Sequence, residues 1–342
     1  MRETNCCRAK VEQTTWQGEP AIRFAAGGYE ALMIPGVGAN VIELKQVEKG
    51  LELLRAPEGV APEAFKVRPQ VYGIPVLFPP NRIEDGTFMA DGRNYQFTIN
   101  EIPNNNHIHG FLHRRPWKVT KMDILSEDRV EVEAVFEADA SSEFYKEFPH
   151  EFEFKLLYTL SEKGLEQKVT IINRSSLPMP MGLGFHTAFK IPFHPEGREE
   201  DYRMLASIGD KWELNDRMLP TGRLIEPTEL EKGYRQEGVQ PVGQVIDKQH
   251  FTAQPLRIND REFHGAIIED RAKAIKLVYE CGKGYGHWML WNSDGQQGFV
   301  CPEPQTWAVN APNIKLPDHV TGFQLLAPGE AWEECCAIYV VV

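Results

Sequence analysis

The sequence of 342 residues has no long apolar run and no apolar region near its first residue. No segment approaches the ~20 consecutive apolar residues of a membrane-spanning helix. The first ten residues, MRETNCCRAK, lack the hydrophobic stretch of a signal peptide. We therefore expect a cytosolic (cytoplasmic) chain that does not insert into a membrane.

Positive charge is also scarce. The chain has 37 lysines and arginines against 49 aspartates and glutamates, and its formal net charge is −12. An acidic protein is repelled by nucleic acid and by anionic lipid headgroups. This balance excludes nucleic acid and membrane as main partners, but it is compatible with a small ligand, including an anionic one held by a few arginines.

The six cysteines lack the spacing of a structural metal site. They form two adjacent pairs, Cys6–Cys7 and Cys335–Cys336, and two single residues, Cys281 and Cys301. None belongs to a CxxC motif, so we predict reduced thiols and no structural zinc. The pattern leaves open whether the two pairs approach each other.

Alternation of apolar and polar residues is the main pattern present, and it indicates half-buried β-strands. It predicts strands over residues 130–136, 152–160, 165–171, 274–279 and 336–342. The turn at 161–164 joins two of them and predicts a hairpin.

Helical patterns, internal repeats and linkers are not evident. The polar stretches 199–217 and 220–240 predict a long excursion from the sheet core with at most a helical turn. Strands this numerous must bury their edges in stacked or closed sheets. We therefore predict one all-β domain of antiparallel sheets covering residues 1–342.

Four segments place polar side chains among glycine, proline and aromatic residues, which is typical of loops that line a cleft. They are residues 79–83, 106–111, 184–187 and 301–306. Their polar residues also have ordinary structural roles, as a solvated arginine, a polar turn, a core histidine or a loop glutamate. The candidates for chemistry in these segments are Arg82, His107, His109, His186 and Glu303.

Glu303 is the strongest candidate for acid–base chemistry. Pro302 and Pro304 restrict the backbone on both sides of it. Apolar neighbours predict partial burial, which raises the pKa of a carboxyl group and makes it a better base near neutral pH. Glu303, the arginine, the histidines and the nearby aromatic side chains together indicate a pocket for a neutral polyhydroxylated ligand. These aromatic residues are Tyr285, Trp288, Trp291, Phe299 and Trp307.

Three histidines within seven residues, His107, His109 and His113, suggest an alternative. Such a cluster can bind a metal, as in cupin-like barrels. No carboxylate stands at a convincing ligand spacing within it, so we predict no metal. A metal-dependent isomerase is kept as an alternative function.

Taken in order, these segments resemble the aldose 1-epimerases, also called galactose mutarotases, and the related hexose-phosphate mutarotases. The resemblance implies a β-supersandwich fold with the active site in a cleft on one sheet face. The matching segments span most of the chain, at residues 31–39, 50–54, 73–79, 81–83, 86–88, 106–111, 117, 173–176, 180–189, 302–306 and 328–330.

The resemblance also implies roles for individual residues. Glu303 matches the catalytic general base and His186 the general acid. Arg82 and His109 match substrate-binding residues, and Asp247 corresponds to the family's sugar-binding aspartate. We add His107, from the same segment as His109, to the predicted substrate-binding residues.

His109-Gly110-Phe111 stands where the family usually has His-Gly-Gly, and this form is closer to the hexose-phosphate branch. Arg114 and Arg115 would face a phosphate in that case, although surface positions are their more ordinary role.

The sequence therefore predicts a mutarotase that opens a hexose ring and closes it on the other carbonyl face, with no cofactor. Alternatives are a hexose-phosphate mutarotase, a non-catalytic carbohydrate-binding protein on the same fold, and a glycoside hydrolase or lyase. A hydrolase needs two carboxylates, and Asp247 is the only weak second candidate. The sugar is left open, as is the choice between monomer and homodimer.

Overall fold

Antiparallel strands make up most of the structure, a computed structural model that describes residues 8–247, 249–258 and 261–342. The N-terminal strands are β1 (Lys10–Trp16), β2 (Glu19–Ala26), β3 (Tyr29–Ile34), β4 (Asn40–Gln46), β5 (Leu51–Glu52), β6 (Val76–Leu77), β7 (Arg82–Glu84), β8 (Thr87–Ala90), β9 (Arg93–Gln96) and β10 (Asn106–Ile108). The central strands are β11 (Lys118–Ser126), β12 (Arg129–Ala138), β13 (Phe152–Ser161), β14 (Gly164–Asn173), β15 (Met179–Pro180), β16 (Gly184–Phe185), β17 (Phe189–Lys190), β18 (Tyr202–Ala206), β19 (Ile208–Leu214) and β20 (Pro220–Ile225). The C-terminal strands are β21 (Gln249–Ala253), β22 (Leu256–Ile258), β23 (Arg261–Phe263), β24 (Gly265–Asp270), β25 (Ile275–Cys281), β26 (His287–Trp291), β27 (Phe299–Gln305), β28 (Leu325–Leu326) and β29 (Ala331–Val341).

Helices are short: α1 (Pro62–Val67), α2 (Glu229–Lys232) and α3 (Asp318–Thr321). Among the described residues, no helix has the length and apolar content needed to cross a membrane.

The strands assemble into three main antiparallel sheets, which confirms the predicted all-β sandwich. Strands β1 to β5 form a meander. The back sheet has the order β11-β12-β13-β14-β29-β25-β24-β18. The front sheet has the order β20-β19-β21-β26-β27-β16-β6, and β17 also pairs with β27. One hydrophobic core contains side chains of all three sheets, such as Phe24, Leu156 and Leu290.

The predicted hairpin is confirmed in β13 and β14. Phe154, Leu156 and Tyr158 are buried while the residues between them are partly exposed, as expected of a strand with one face on the core. The strands pair from Phe152 opposite Asn173 to Ser161 opposite Gly164. The strands predicted near residues 274–279 and 336–342 are also present, as β25 and β29.

The prediction that residues 199–217 leave the sheet core is wrong. This segment contains β18, which pairs with β24 in the back sheet, and β19, which pairs with β20 and β21 in the front sheet. The pairing of β19 is shifted between Ile208 and Lys211 and again between Trp212 and Leu214. Such irregularities break the period of two that identifies a strand in a sequence. The predicted helical turn is present further along, as α2.

The cysteines that the structure describes are free: Cys281, Cys301 and Cys336 are buried and Cys335 is exposed. Cys6 and Cys7 lie outside the described residues, so the possible approach of the two pairs stays untested.

Alternation along β26 separates the core from a second face of the front sheet. Trp288 and Leu290 belong to the core. Met289 and Trp291 point to the opposite face, because successive side chains of a strand alternate. On the neighbouring strand β27, Glu303 pairs directly with Met289. This face therefore carries the predicted acid–base residue away from the core of the sandwich.

Gly110 brings the loop that carries His109 against the chain just after β6. Its φ is 64°, and a Cβ there would stand 2.0 Å from the carbonyl oxygen of Phe78. We expect Gly110→Ala to lower the free energy of unfolding by about 2–4 kcal/mol, since it combines left-handed strain with a backbone clash. Urea denaturation followed by tryptophan fluorescence measures the loss.

Gly92→Ala is the matched control. Gly92 has a φ of 70°, but a Cβ added there would meet no atom within 4 Å, so only the backbone strain of about 1–2 kcal/mol applies. Equal losses in the two variants would contradict the role of the close contact at Gly110.

Candidate active site

A cleft of about 270 Å³ opens on the second face of the front sheet. Its floor is formed by side chains of the front sheet, and loops, most of them from the N-terminal half, form its walls. The floor residues are His186, Met289, Trp291 and Glu303. The walls contain Arg68, Gln70, Val71, Asn81, Arg82, Ile108, His109, Met218 and Asp247.

Five of the six predicted site residues line this one cleft. They come from distant parts of the chain, and the sheet topology brings them together: Arg82, His109, His186, Asp247 and Glu303.

His186 and Glu303 form the centre of the cleft. The Nε2 atom of His186 lies 3.3 Å from Oε1 of Glu303, and their side chains are only 6% and 2% exposed. Glu303 lies on β27, whose residues are all buried. His186 directly follows β16, and its backbone N–H donates to the carbonyl oxygen of Pro75 at 3.1 Å. Two titratable groups are thus held in contact at the bottom of the cleft.

Burial shifts the pKa values of this pair in opposite directions. It lowers the pKa of His186 to about 4. It raises the pKa of Glu303 well above its usual value, although the Arg82 guanidinium and the Gln305 side chain act the other way. Desolvation penalises the charged form of each group. Burial therefore favours the uncharged form of each member, a carboxylic acid beside a neutral imidazole.

Arg82 is held at the cleft wall by Glu101. Its Nε donates to Oε2 of Glu101 at 2.9 Å and its Nη2 donates to Oε1 at 2.8 Å. The Nη1 atom lies 3.4 Å from Oδ1 of Asn81. A bidentate pair of this kind fixes the plane of the guanidinium. One edge of the Arg82 guanidinium is thus occupied by Glu101, and the residue as a whole lines the cleft.

His109 lies beside His186 and turns the chain at the end of β10. Its φ is 67°, and its backbone N–H donates to the carbonyl oxygen of Asn81 at 2.9 Å. The ring centroids of His109 and His186 are 5.5 Å apart. Burial, with the further effect of His186, holds the pKa of His109 well below its ordinary value. A neutral imidazole is therefore available to exchange hydrogen bonds with a ligand hydroxyl.

Trp291 completes the floor. Its ring meets the ring of His186 edge to face, with 5.2 Å between centroids. Of the aromatic residues predicted as possible sugar-stacking surfaces, Trp291 lines the cleft, whereas Tyr285, Trp288 and Trp307 are core side chains. Asp247 lies on the wall at an exposed position, just before β21.

His107 is not brought into the cleft. On β10 it pairs with Ile83, whereas Ile108 pairs with Arg82, so His107 faces the opposite side of this two-stranded sheet. Its Nδ1 lies 2.8 Å from the carbonyl oxygen of Thr98. His107 was predicted to bind substrate because it lies in the same segment as His109, but the positive φ of His109 turns the chain between the end of β10 and the cleft.

Arg114 and Arg115 also lie away from the cleft. They line a separate cavity of about 410 Å³, together with His107 and His113. Any phosphate that they face would therefore lie outside the cleft that holds the acid–base pair. In the described ranges, no group of three or more His, Cys, Asp or Glu side chains is arranged to hold a metal ion.

Sequence reasoning missed several cleft residues. Asn81 adjoins Arg82, but no role of its own was predicted for it. Glu101 lies 19 residues from Arg82 in a polar loop, and no local pattern connects the two. Arg68 and Gln70 follow α1 in a segment for which no role was predicted.

A larger cavity of about 560 Å³ lies on the back sheet between β14, β25 and β29. Its titratable groups include Cys281, Cys336 and Glu334, and it contains no histidine. We place the candidate active site at the smaller cleft, because among the described residues the contact between a histidine and a carboxyl group lies there.

Comparison with known proteins shows the family and the fold of the chain. The sequence model of the family described as aldose 1-epimerase matches residues 20–339. A galactose mutarotase-like protein from Clostridium acetobutylicum is 44% identical, with a TM-score of 0.95 over 98% of this chain and 99% of that one. A galactose 1-epimerase from Lactobacillus acidophilus NCFM has the same fold at 13% identity, with a TM-score of 0.69 over 97% of this chain and 99% of that one.

Curated relatives match over shorter stretches. The uncharacterized protein YihR of Escherichia coli K12 is 29% identical over 167 residues, which are 48% of this chain and 48% of YihR. The chromosomal LacX protein of Lactococcus lactis is 23% identical over 212 residues, which are 56% of this chain and 63% of LacX. The alignments thus span about half to under two thirds of these relatives. Since the family match extends over nearly the whole sequence, the chain belongs to the aldose 1-epimerase family.

Proposed function

We propose that this protein is a mutarotase that interconverts the α and β anomers of a hexose or hexose derivative. The observation that carries the proposal is the contact between His186 and Glu303 at 3.3 Å, buried on the floor of a cleft. Mutarotation requires one proton to leave the anomeric hydroxyl and another to reach the ring oxygen. A pair that holds one proton can do both without exchange with solvent.

Ring opening uses the form of the pair in which the proton is on His186. The Glu303 carboxylate accepts the proton of the anomeric hydroxyl, and the O1–H electron pair forms the C1=O1 double bond. The bond between C1 and the ring oxygen breaks, and the His186 imidazolium protonates that oxygen. General acid–base catalysis of this kind contributes ~10²–10⁴-fold for each group.

Ring closure returns the pair to its starting form. After opening, Glu303 is a carboxylic acid and His186 is a neutral imidazole, the form that burial favours in the empty cleft. The aldehyde rotates about the C1–C2 bond and presents its other face. His186 then accepts the proton of the sugar hydroxyl as it attacks C1, and Glu303 protonates O1. The proton that moved from His186 to Glu303 by way of the sugar moves back.

The walls of the cleft hold the sugar during this exchange. Arg82 and the neutral ring of His109 line the cleft, and in this proposal they hydrogen-bond ring and hydroxyl oxygens of the sugar. Trp291 offers an apolar surface to sugar C–H groups. Asp247, across the cleft, is our proposed acceptor for a further hydroxyl. Positioning of this kind lowers the entropic part of the barrier.

An anionic hexose derivative, such as a hexose phosphate, is a second candidate substrate because of Arg68. This exposed cleft residue makes no hydrogen bond or ion pair through its guanidinium with any described residue. The charge of Arg82, in contrast, is balanced by Glu101. A phosphate on the sugar would therefore meet Arg68 rather than Arg82.

The test is to follow anomer interconversion by polarimetry or NMR from pure α-glucose, α-galactose and α-glucose 6-phosphate. We expect the protein to accelerate at least one of them over its spontaneous rate, and the fastest identifies the substrate branch. Arg68→Gln is expected to slow the phosphate ester alone, if that is the substrate.

Three results would argue against the proposal. Sugar binding by calorimetry with no acceleration would favour a carbohydrate-binding protein. Release of reducing sugar from oligosaccharides would favour a hydrolase that uses Asp247 as a second carboxylate. The absence of both binding and acceleration with all three sugars would refute the proposal for common hexoses.

A further inference from the structure

Glu101 makes closer contact with Arg82 than any other described side chain does. Its carboxylate accepts from Nε at 3.0 and 2.9 Å and from Nη2 at 2.8 Å. The two side chains are only 19% and 16% exposed. In such partly desolvated surroundings an ion pair is screened less than on the surface.

The loop that carries Glu101 is itself held in place. Glu101 and Asn106 exchange backbone hydrogen bonds at 3.0 and 3.2 Å, and Nδ2 of Asn106 donates to Oε2 of Glu101 at 2.9 Å. Arg217 donates to the carbonyl oxygens of Asn104 and Asn105 at 2.9 and 3.0 Å. The carboxylate therefore has a defined position from which to orient its partner.

Glu101 is ionised at neutral pH. Burial raises its pKa, but the hydrogen bond and charge of Arg82 outweigh burial, and the pKa is lowered overall. Arg82 and Glu101 thus act on the cleft as a pair without net charge.

We propose that Glu101 is a positioning residue that holds the Arg82 guanidinium in one orientation and offsets part of its charge beside the His186–Glu303 pair. The catalytic part of this inference rests on the proposed mutarotase function. Without Glu101, the cleft would contain an uncompensated cation near Glu303, and the free edge of Arg82 would lose its fixed direction toward the substrate.

The groups that face Glu303 come from several elements. His186 is in contact with it, Cys301 lies on the same strand, and Arg82 acts from β7. Across the cleft stand Arg68, His109 and Asp247. Of these, Arg82 opposes the effect of burial and lowers the pKa of Glu303. The charge state of Arg82's surroundings therefore controls how firmly Glu303 holds its proton.

The experiment is an infrared pH titration of the sugar-free protein. The carboxylic acid band of protonated Glu303 is identified by its loss in Glu303→Gln. In Glu101→Gln we expect the midpoint of this band to fall by about one pH unit, the size expected of an uncompensated nearby charge. In the double variant Arg82→Gln/Glu101→Gln this fall should be abolished, with a midpoint at or above the wild-type value, because Arg82 itself lowers the pKa of Glu303.

Glu101→Asp separates charge from geometry. It keeps the negative charge but shortens the side chain, so the bidentate contact is lost. We expect an unchanged infrared midpoint and a KM about tenfold higher, the size of one hydrogen bond to a charged group. Glu84→Gln is the matched control, because Glu84 pairs with Arg217 at 3.1 Å and makes no contact with Arg82.

An unchanged midpoint in Glu101→Gln, or an equal shift in Glu84→Gln, would overturn the proposal. A shift that persists in the double variant would overturn it too, since the effect would not pass through Arg82. If Glu101→Gln does not fold, the test rests on Glu101→Asp, and an unchanged KM in that variant refutes the positioning role. The infrared result does not depend on turnover. Failure of the mutarotase proposal would be seen separately, because the wild-type protein would then not accelerate anomer interconversion.

Discussion

Replacing Glu303 by glutamine is expected to lower kcat for anomer interconversion by about 10³-fold or more. The amide keeps the shape of the side chain but cannot accept the proton of the anomeric hydroxyl or return one to O1. Removal of one acid–base group alone costs ~10²–10⁴-fold. Here the loss should be at the upper end, because His186 and Glu303 exchange a single proton and neither can complete the cycle alone. Stopped-flow polarimetry with the preferred sugar measures it.

Loss of stability would not explain such a result. A buried carboxyl group with a raised pKa penalises the folded state once the pH exceeds the unfolded pKa, since the unfolded chain ionises more readily. Glu303→Gln removes that penalty, so its thermal midpoint at pH 7 should equal or exceed that of the wild type. His186→Gln should lose kcat to a similar degree, and the double variant should lose little more than either single one.

Two outcomes would contradict this assignment. Glu303→Gln with wild-type kcat would remove Glu303 from the mechanism. Additive losses in the double variant would mean that the two residues act in separate steps rather than as one proton-exchanging pair.

Acid is expected to unfold the protein cooperatively between about pH 6 and pH 4, above the range where carboxylates are first protonated. Buried histidines are the cause. Burial lowers the pKa of His113 to about 3 and those of His150, His186 and His287 to about 4. It places the pKa values of His109 and His250 well below the ordinary value.

The direction in which stability changes with pH follows from proton binding. Each histidine has a lower pKa in the folded than in the unfolded state, so its contribution to stability is complete above about pH 6.5 and is lost as the pH falls toward the folded pKa. Burial also lowers the pKa of His107. Glu303 has a raised pKa and acts in the opposite sense, but the histidines with lowered pKa values outnumber it. Unfolding near pH 5.5 therefore takes up several protons, and each of them changes the free energy of unfolding by about 1.4 kcal/mol per pH unit.

Urea denaturation at pH 7.5, 6.5, 5.5 and 5.0 provides the test. The slope of the unfolding free energy against pH gives the number of protons taken up. His150→Gln should reduce that number by about one, since His150 is fully buried beside Tyr95, away from the cleft. The matched control is His319→Gln, because His319 is exposed and its replacement should leave the number of protons unchanged. A stability that does not change between pH 7.5 and 5 would refute the argument.

The fold was predictable where side-chain alternation is strict. Residues 152–171 alternate with little interruption because β13 and β14 each have one face on the core. The prediction failed over residues 199–217, where shifts in the pairing of β19 interrupt the period. A bulge is a response to neighbouring strands, so its position is not visible in a local window.

The candidate site was predictable to the extent that its residues lie in distinctive local segments. Glu303 between two prolines and His186 after Gly184 stand out by composition alone, and they meet in the cleft. The position of His107 outside the cleft could not be predicted, because the positive φ of His109, which follows β10, depends on how the loop packs against Phe78 and Asn81. Glu101 could not be found, because its partner is 19 residues away.

By itself the sequence determined the all-β class, the long hairpin and the set of segments from which the cleft is built. These follow from hydrophobic alternation and from residue types whose conformational limits are local. The tertiary structure alone decided that His186 and Glu303 touch, that burial shifts their pKa values in opposite directions, and that Glu101 pairs with Arg82. Distances between residues far apart in the chain, and the desolvation that sets their pKa values, exist only once the sheets have packed.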